Sequence, residues 1–119
     1  MARVLLIEDE PAVRLTLRQM LEAGGHDVVE GRIGHSLLDD LATETYDLVI
    51  TDLHMPGLDG FDVAAWTLQR RPKIPVIAIG GNAEAARPEQ DRLFAAVMVK
   101  PFRREALLAT VAAVLSRGA

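Results

Sequence analysis

Four charged residues stand where their types could act together. Glu8 and Asp9 come just before Pro11, Asp52 heads the run Asp52-Leu53-His54-Met55-Pro56-Gly57-Leu58-Asp59-Gly60, and Lys100 precedes Pro101 and Phe102. Singly, each has a plain explanation. The acid pair could cap the helix that Pro11 begins, Asp52 could open a polar turn, and Lys100 could be a solvated lysine at a strand end. Their combination has a chemistry of its own. Three carboxylates gathered in one place repel each other and raise their own pKa values unless they share a cation. The cation suited to oxygen ligands, with water completing its shell, is Mg²⁺.

Whether these groups meet depends on the elements that carry them. Arg3 to Ile7 is an apolar β run, and Pro11 is well suited to the first position of a helix. Val13, Leu17 and Leu21 recur every four residues along that helix, which Gly24-Gly25 stops. Asp27 to Glu30 reads as a brief strand, and Leu37, Leu38 and Leu41 mark a second helix ending near Tyr46. Leu48-Val49-Ile50 is continuously apolar, as a strand buried on both faces should be.

A third helix is expected from about Gly60 to Arg70, ahead of Pro72, and Pro75 to Ile79 is another buried strand, followed by Gly80-Gly81. Asn82 to Ala96 has a helical composition, but Pro88 inside it should break or delay the helix. The fourth helix is therefore expected to be short, beginning near Pro88 after a mobile stretch from Gly80 to Arg87. Val97 to Val99 is the fifth strand, and Arg104 to Ser116 forms an amphipathic last helix.

Five strands alternating with five helices predict a doubly wound α/β fold with a parallel sheet. In such folds the active groups collect at the carboxyl ends of the strands, where the strand order reverses. Glu8 and Asp9 follow the first strand, Asp52 ends the third and Lys100 follows the fifth, so the sequence directs all four to one edge.

Composition narrows the function. The 119 residues are enough for one domain of ordinary size, and half of them are hydrophobic. A net charge of −4 argues against nucleic acid as the main partner. Apolar runs such as Val4 to Ile7 and Val76 to Ile79 are far too short to cross a bilayer. With no cysteine there is no disulfide framework, thiolate metal site or thiol nucleophile, which suits a cytoplasmic protein.

Across its whole length the sequence resembles the receiver domain of two-component response regulators, as in chemotaxis regulators. The resemblance rests on Glu8-Asp9, on Asp52 through Gly60 with Met-Pro and Asp-Gly at the family's offsets, and on Lys100-Pro101-Phe102. It implies a flavodoxin-like strand order 2-1-3-4-5 and a single receiver domain over residues 1–119 with no output domain among them, either standing alone or as one module of a hybrid kinase or longer regulator.

It also implies roles. Asp52 would attack a phosphohistidine and hold the phosphoryl group as an acyl phosphate. Glu8, Asp9, Asp52 and the backbone carbonyl of His54 would hold Mg²⁺, and Lys100 would neutralise a phosphoryl oxygen. The Lys100–Pro101 peptide bond is expected to be cis, aiming the ammonium at Asp52. Such a module is no conventional enzyme, although it catalyses its own Mg-dependent phosphorylation and dephosphorylation. Its partners would be a histidine kinase or phosphotransfer protein and a downstream protein target, with neither nucleic acid nor membrane bound by this chain.

Two positions depart from the family. Gly80 stands where a Thr or Ser hydroxyl usually meets the phosphoryl group, and Val97 replaces the usual aromatic residue three before the lysine. These switch positions keep a second reading open, a protein-docking module for which phosphorylation is optional. A haloacid-dehalogenase-type enzyme would also use an aspartyl nucleophile, but it requires an Asp where this chain has His54.

Overall fold

The structure is a computed structural model that describes residues 2–31, 45–55, 58–81 and 93–117, with backbone only for 54, 55, 58 and 59. Five strands make one parallel sheet: β1 (Arg3–Ile7), β2 (Asp27–Glu30), β3 (Leu48–Asp52), β6 (Val76–Gly80) and β7 (Ala96–Val99). The short strands β4 (His54–Met55) and β5 (Leu58–Asp59) form a separate antiparallel pair. Helices α1 (Pro11–Ala23), α2 (Gly60–Arg70) and α3 (Arg104–Arg117) complete the described elements.

The sheet order is β2-β1-β3-β6-β7, which is 2-1-3-4-5 once the small hairpin is set aside. β3 is pinned on both sides, Ile50 pairing with Leu6 and with Ile77, and Asp52 lies opposite Ile79. β3 and β6 are buried at every residue. That explains their unbroken apolar sequences, since helices cover both faces of the sheet.

Alternation along the strands divides the core into two layers. Val4 and Leu6 of β1 join Ile50, Ile77 and Ile79 beneath Leu17 and Leu21 of α1 and Leu107, Val111 and Val114 of α3. Leu5 and Ile7 point the other way, with Val49 and Ala78, against Val63 and Ala64 of α2. Each fully buried large aliphatic side chain contributes roughly 1.5–3 kcal/mol relative to exposure, so the two layers together fix where the strands end. Trp66 is half-buried against the second layer.

The boundaries of β1, β2 and α2 coincide with those expected, and α1 begins at Pro11. Three local readings need correction. Ala96 belongs to β7 rather than to a helix reaching back to Asn82: the ladder already begins at Ala95, whose N–H donates to the Val76 carbonyl at 2.8 Å. Gly80 is the last residue of β6, paired with Val99, rather than the start of a turn. The run after Asp52, for which a polar turn is the plain reading, instead carries the short β4–β5 antiparallel pair. The expected second helix over Leu37 to Leu41, the short fourth helix near Pro88 and the stretch from Asn82 to Arg87 lie outside the described residues.

Among the described residues no helix is long and apolar enough to cross a membrane. At the amino ends of the strands, a cavity of about 790 Å³ is lined by Ala2, Tyr46, Pro75 and Leu115 among others. The opposite edge of the sheet carries the charged residues.

Candidate functional site

β1 stops at Ile7 and delivers Glu8 and Asp9 immediately beyond the sheet, before Pro11 turns the chain into α1. β3 ends on Asp52, and β7 ends on Val99, one residue before Lys100. These three parallel strands thus release their polar residues at one edge, where β1 and β3 diverge in strand order, as such folds favour. One oxygen from each of Glu8, Asp9 and Asp52 lies within 4.8 Å of the other two, an arrangement able to surround a small cation.

Lys100 is tied to this group. Its Nζ donates to Glu8 Oε2 and to Asp52 Oδ2, both at 3.1 Å. The Glu8 side chain is 1% exposed, that of Asp52 10% and that of Lys100 26%, so these are ion pairs largely withdrawn from water. The Lys100 amide donates to the Gly80 carbonyl at 2.8 Å, which continues the β6–β7 ladder one residue past Val99. The Lys100–Pro101 peptide bond is cis, as expected.

The electrostatics follow from burial and crowding. Burial raises the pKa of Glu8, and a hydrogen bond and charge repulsion from Asp52 raise it further. The Glu10 amide and Lys100 oppose the shift, and the net effect lifts Glu8 from 4.5 to about 7. For Lys100, burial alone would lower the pKa. The hydrogen bonds and charges of Asp52 and Glu8 outweigh it, so the ammonium is held more firmly protonated than a free lysine. A buried carboxylate that retains its proton near neutrality beside a second carboxylate marks a cluster short of positive charge.

The backbone around Asp52 is tightly held. The Leu53 amide donates to the Ile79 carbonyl at 2.9 Å, and the Gly60 amide donates to the Leu53 carbonyl at 3.0 Å. Gly60 opens α2 directly against β3: a Cβ there would collide with the Asp52 carbonyl oxygen and lie 2.9 Å from the Leu53 Cα. Only glycine permits this approach, which gives the Asp-Gly pair of the sequence motif a structural reason.

The four expected side chains are therefore brought together. His54 follows as the first residue of β4, two positions beyond Asp52. Gly80 lies at the buried end of β6, and Val97 is half-buried in β7 opposite Ala78, packed against the second core layer. Two features were not anticipated. Lys100 has Glu8 as a second partner besides Asp52, and the Arg14 Nη1 donates to the Glu8 carbonyl at 3.0 Å. The only sequence signal for Arg14 was a cation one turn into a helix that starts just after the acid pair.

Comparisons with known proteins agree with this architecture. The family model for the response regulator receiver domain matches residues 4–112. The chain is 38% identical over 113 residues to the response regulator protein FleR of Pseudomonas aeruginosa, covering 93% of this chain and 24% of that protein. It is 31% identical over 119 residues to the cell cycle transcriptional regulator CtrA of Caulobacter vibrioides, covering 97% of this chain and 51% of that one. It thus spans between about a quarter and about half of these relatives' lengths.

Among solved structures, the response regulator protein TrrA of Thermotoga maritima, in complex with Mg²⁺-BeF, superposes with a TM-score of 0.88 at 26% identity. The match covers 96% of this chain and 99% of that one. With the fold, the strand-end carboxylates and the sequence all in agreement, the chain belongs to the response regulator receiver domain family.

Proposed function

We propose that Asp52 is the phosphoacceptor of this chain and that Glu8, Asp9, Asp52 and the His54 carbonyl hold the Mg²⁺ that the reaction requires. The observation that carries this reading is the approach of three carboxylates to within 4.8 Å of one another, with Lys100 bridging two of them. The donor set is all oxygen and suits a hard divalent cation. The raised pKa of Glu8 indicates the charge deficit that such a cation would relieve. When bound, Mg²⁺ would draw charge from the transferring phosphoryl oxygens.

The chain's own residues account for the rest. A carboxylate oxygen of Asp52 attacks phosphorus, the P–N bond of the donor phosphohistidine breaks, and the imidazole leaves with the bonding electrons. Lys100, already 3.1 Å from Asp52 Oδ2, is placed to neutralise a phosphoryl oxygen. Alignment and charge stabilisation are most of what this transfer needs. Hydrolysis reverses the state: water attacks phosphorus, releasing inorganic phosphate and the free carboxylate.

A histidine kinase or phosphotransfer protein would supply the phosphoryl group, in the cytoplasm, and a downstream protein would read it. The receiver function would reside in residues 1–119 as one domain. A docking module indifferent to phosphorylation would have no use for four converging charges, so the assembled cluster disfavours that alternative. The test is mass spectrometry after exposure to a small phosphodonor with Mg²⁺. The chain should gain the mass of one phosphoryl group, about 80 daltons, and Asp52→Asn should not. Equal labelling of Asp52→Asn, or full labelling in chelator, would defeat the reading.

A further inference from the structure

Glu8 is held at three points. Its Oε1 accepts from the Glu10 amide at 3.2 Å, its Oε2 from Lys100 at 3.1 Å, and its backbone carbonyl from Arg14 at 3.0 Å. The first two bonds fix the carboxylate. The third fixes the peptide plane between Glu8 and Asp9, and so the direction in which both acids leave the end of β1. Glu30 of β2 lies behind Arg14, its Oε1 3.7 Å from Arg14 Nε, and its Oε2 is 3.5 Å from Arg18 Nη1. Arg18 also pairs with Glu22 at 3.5 Å. This ladder of alternating charges ties α1 to β2 along a groove that ends at Glu8 and Asp9.

We propose that Arg14 is a positioning residue for the metal, setting the Glu8–Asp9 peptide so that Asp9 faces Glu8 and Asp52. The inference rests on the metal reading given above. A guanidinium suits the task because its charge is permanent and its donors are fixed in a plane, and a charge-assisted bond to a carbonyl is stronger than one from a neutral donor. Rotation of that peptide would swing the Asp9 carboxylate out of the 4.8 Å cluster. Glu30 has a complementary part: it engages the guanidinium from the β2 side, which opposes its collapse onto the carboxylates that the cation needs.

Arg18 provides the control. It lies one turn further along α1, is exposed to a similar degree (38% against 31%) and shares Glu30, but it makes no bond to the Glu8 carbonyl. Arg14→Ala and Arg18→Ala therefore remove the same charge and each break a pair with Glu30. Only the first frees the peptide.

The experiment titrates the full chain with MgCl₂ and follows backbone amide shifts by NMR, with amide exchange measured in chelator on the same samples. Arg14→Ala should raise the Mg²⁺ midpoint roughly tenfold, the lower end of what partners of metal ligands contribute. Arg18→Ala should stay within about twofold, as expected for an exposed ion pair. Exchange at the Glu10 amide should accelerate in Arg14→Ala alone. Equal midpoints for the two variants, or an unchanged midpoint in Arg14→Ala, would overturn the positioning role while leaving the metal site standing. Failure of the unsubstituted chain to respond to MgCl₂ would overturn the metal reading itself, and this inference with it.

Discussion

The ammonium of Lys100 lies 3.1 Å from Glu8 Oε2, although 92 positions separate the two residues along the chain. The same Nζ reaches Asp52 Oδ2, so one cation joins the ends of three strands. Without it, the buried Glu8 and Asp52 would face each other with one compensating charge fewer.

Replacing that cation should therefore destabilise the metal-free protein. Removing one partner from a buried ion pair commonly costs 3–5 kcal/mol. Lys100 retains some contact with water, and Glu8 can relieve the strain by taking a proton. Lys100→Met is accordingly expected to lose about 1–3 kcal/mol in urea unfolding near neutral pH. Millimolar Mg²⁺ should recover part of the loss by mass action. Unchanged stability would mean that the two 3.1 Å contacts contribute nothing in solution.

The raised pKa of Glu8 has a definite sign in pH-dependent stability. Below 4.5 the residue is protonated whether the chain is folded or unfolded. Between 4.5 and about 7 the folded state keeps a proton that the unfolded state has lost, so stability falls as pH rises. The contribution of Glu8 is thus fully present below 4.5 and gone above about 7. Chemical denaturation in chelator across this range should show a decline that Glu8→Gln flattens. Mg²⁺ must displace the same proton, so its affinity should weaken as pH drops below 7, and an affinity constant from pH 5.5 to 8 would contradict the assignment.

Gly60 offers a test of how rigidly Asp52 is held. Gly60→Ala would place a methyl group against the Asp52 carbonyl and the Leu53 Cα, backbone atoms fixed by the ladder to β6. Overpacking of this kind costs about 1–3 kcal/mol. The melting temperature should fall, and phosphorylation of Asp52 should slow as the strand end shifts. A fully stable variant would show that the α2–β3 contact can relax.

The fourth prediction concerns how phosphorylation is sensed. Gly80 has no hydroxyl to follow a phosphoryl group, and Val97 has no ring to move between exposed and buried positions. Gly81 is exposed, and among the described residues no atom lies within 4 Å of a Cβ built there, while the Gly80 carbonyl is bonded to the Lys100 amide at 2.8 Å and so couples this backbone to the charged cluster. The charge change should then be reported by backbone amides of the glycine pair. Beryllofluoride with Mg²⁺ should slow amide exchange at Gly80 and Gly81. No change on adding the mimic would refute a backbone switch.

Much of the site could be read from the chain because the residues follow apolar strands that are short and unambiguous. Arg3–Ile7 and Leu48–Asp52 could hardly be anything but buried strands, and the parallel fold then dictates where Glu8 and Asp52 emerge. Ala96 carries a helical preference in its alanine-rich sequence, and the ladder that pairs it with Ile77 overrides that preference. The Glu8–Lys100 pair and the reach of Arg14 were illegible for another reason. The first joins elements 92 positions apart and the second depends on how a side chain six positions away folds back over the end of β1, and periodicity holds no signal for either.

The cavity lined by both Ala2 and Leu115 has a practical consequence. Because every strand of the main sheet runs the same way, Ala2 and Leu115 line one cavity at its amino pole, while Asp52 and Lys100 sit at the carboxyl pole. A tether at either end, whether an affinity handle, a dye or a sensor surface, would leave the edge carrying Asp52 and Lys100 facing outward. Immobilised chain should consequently bind a kinase with the same affinity whichever end is anchored.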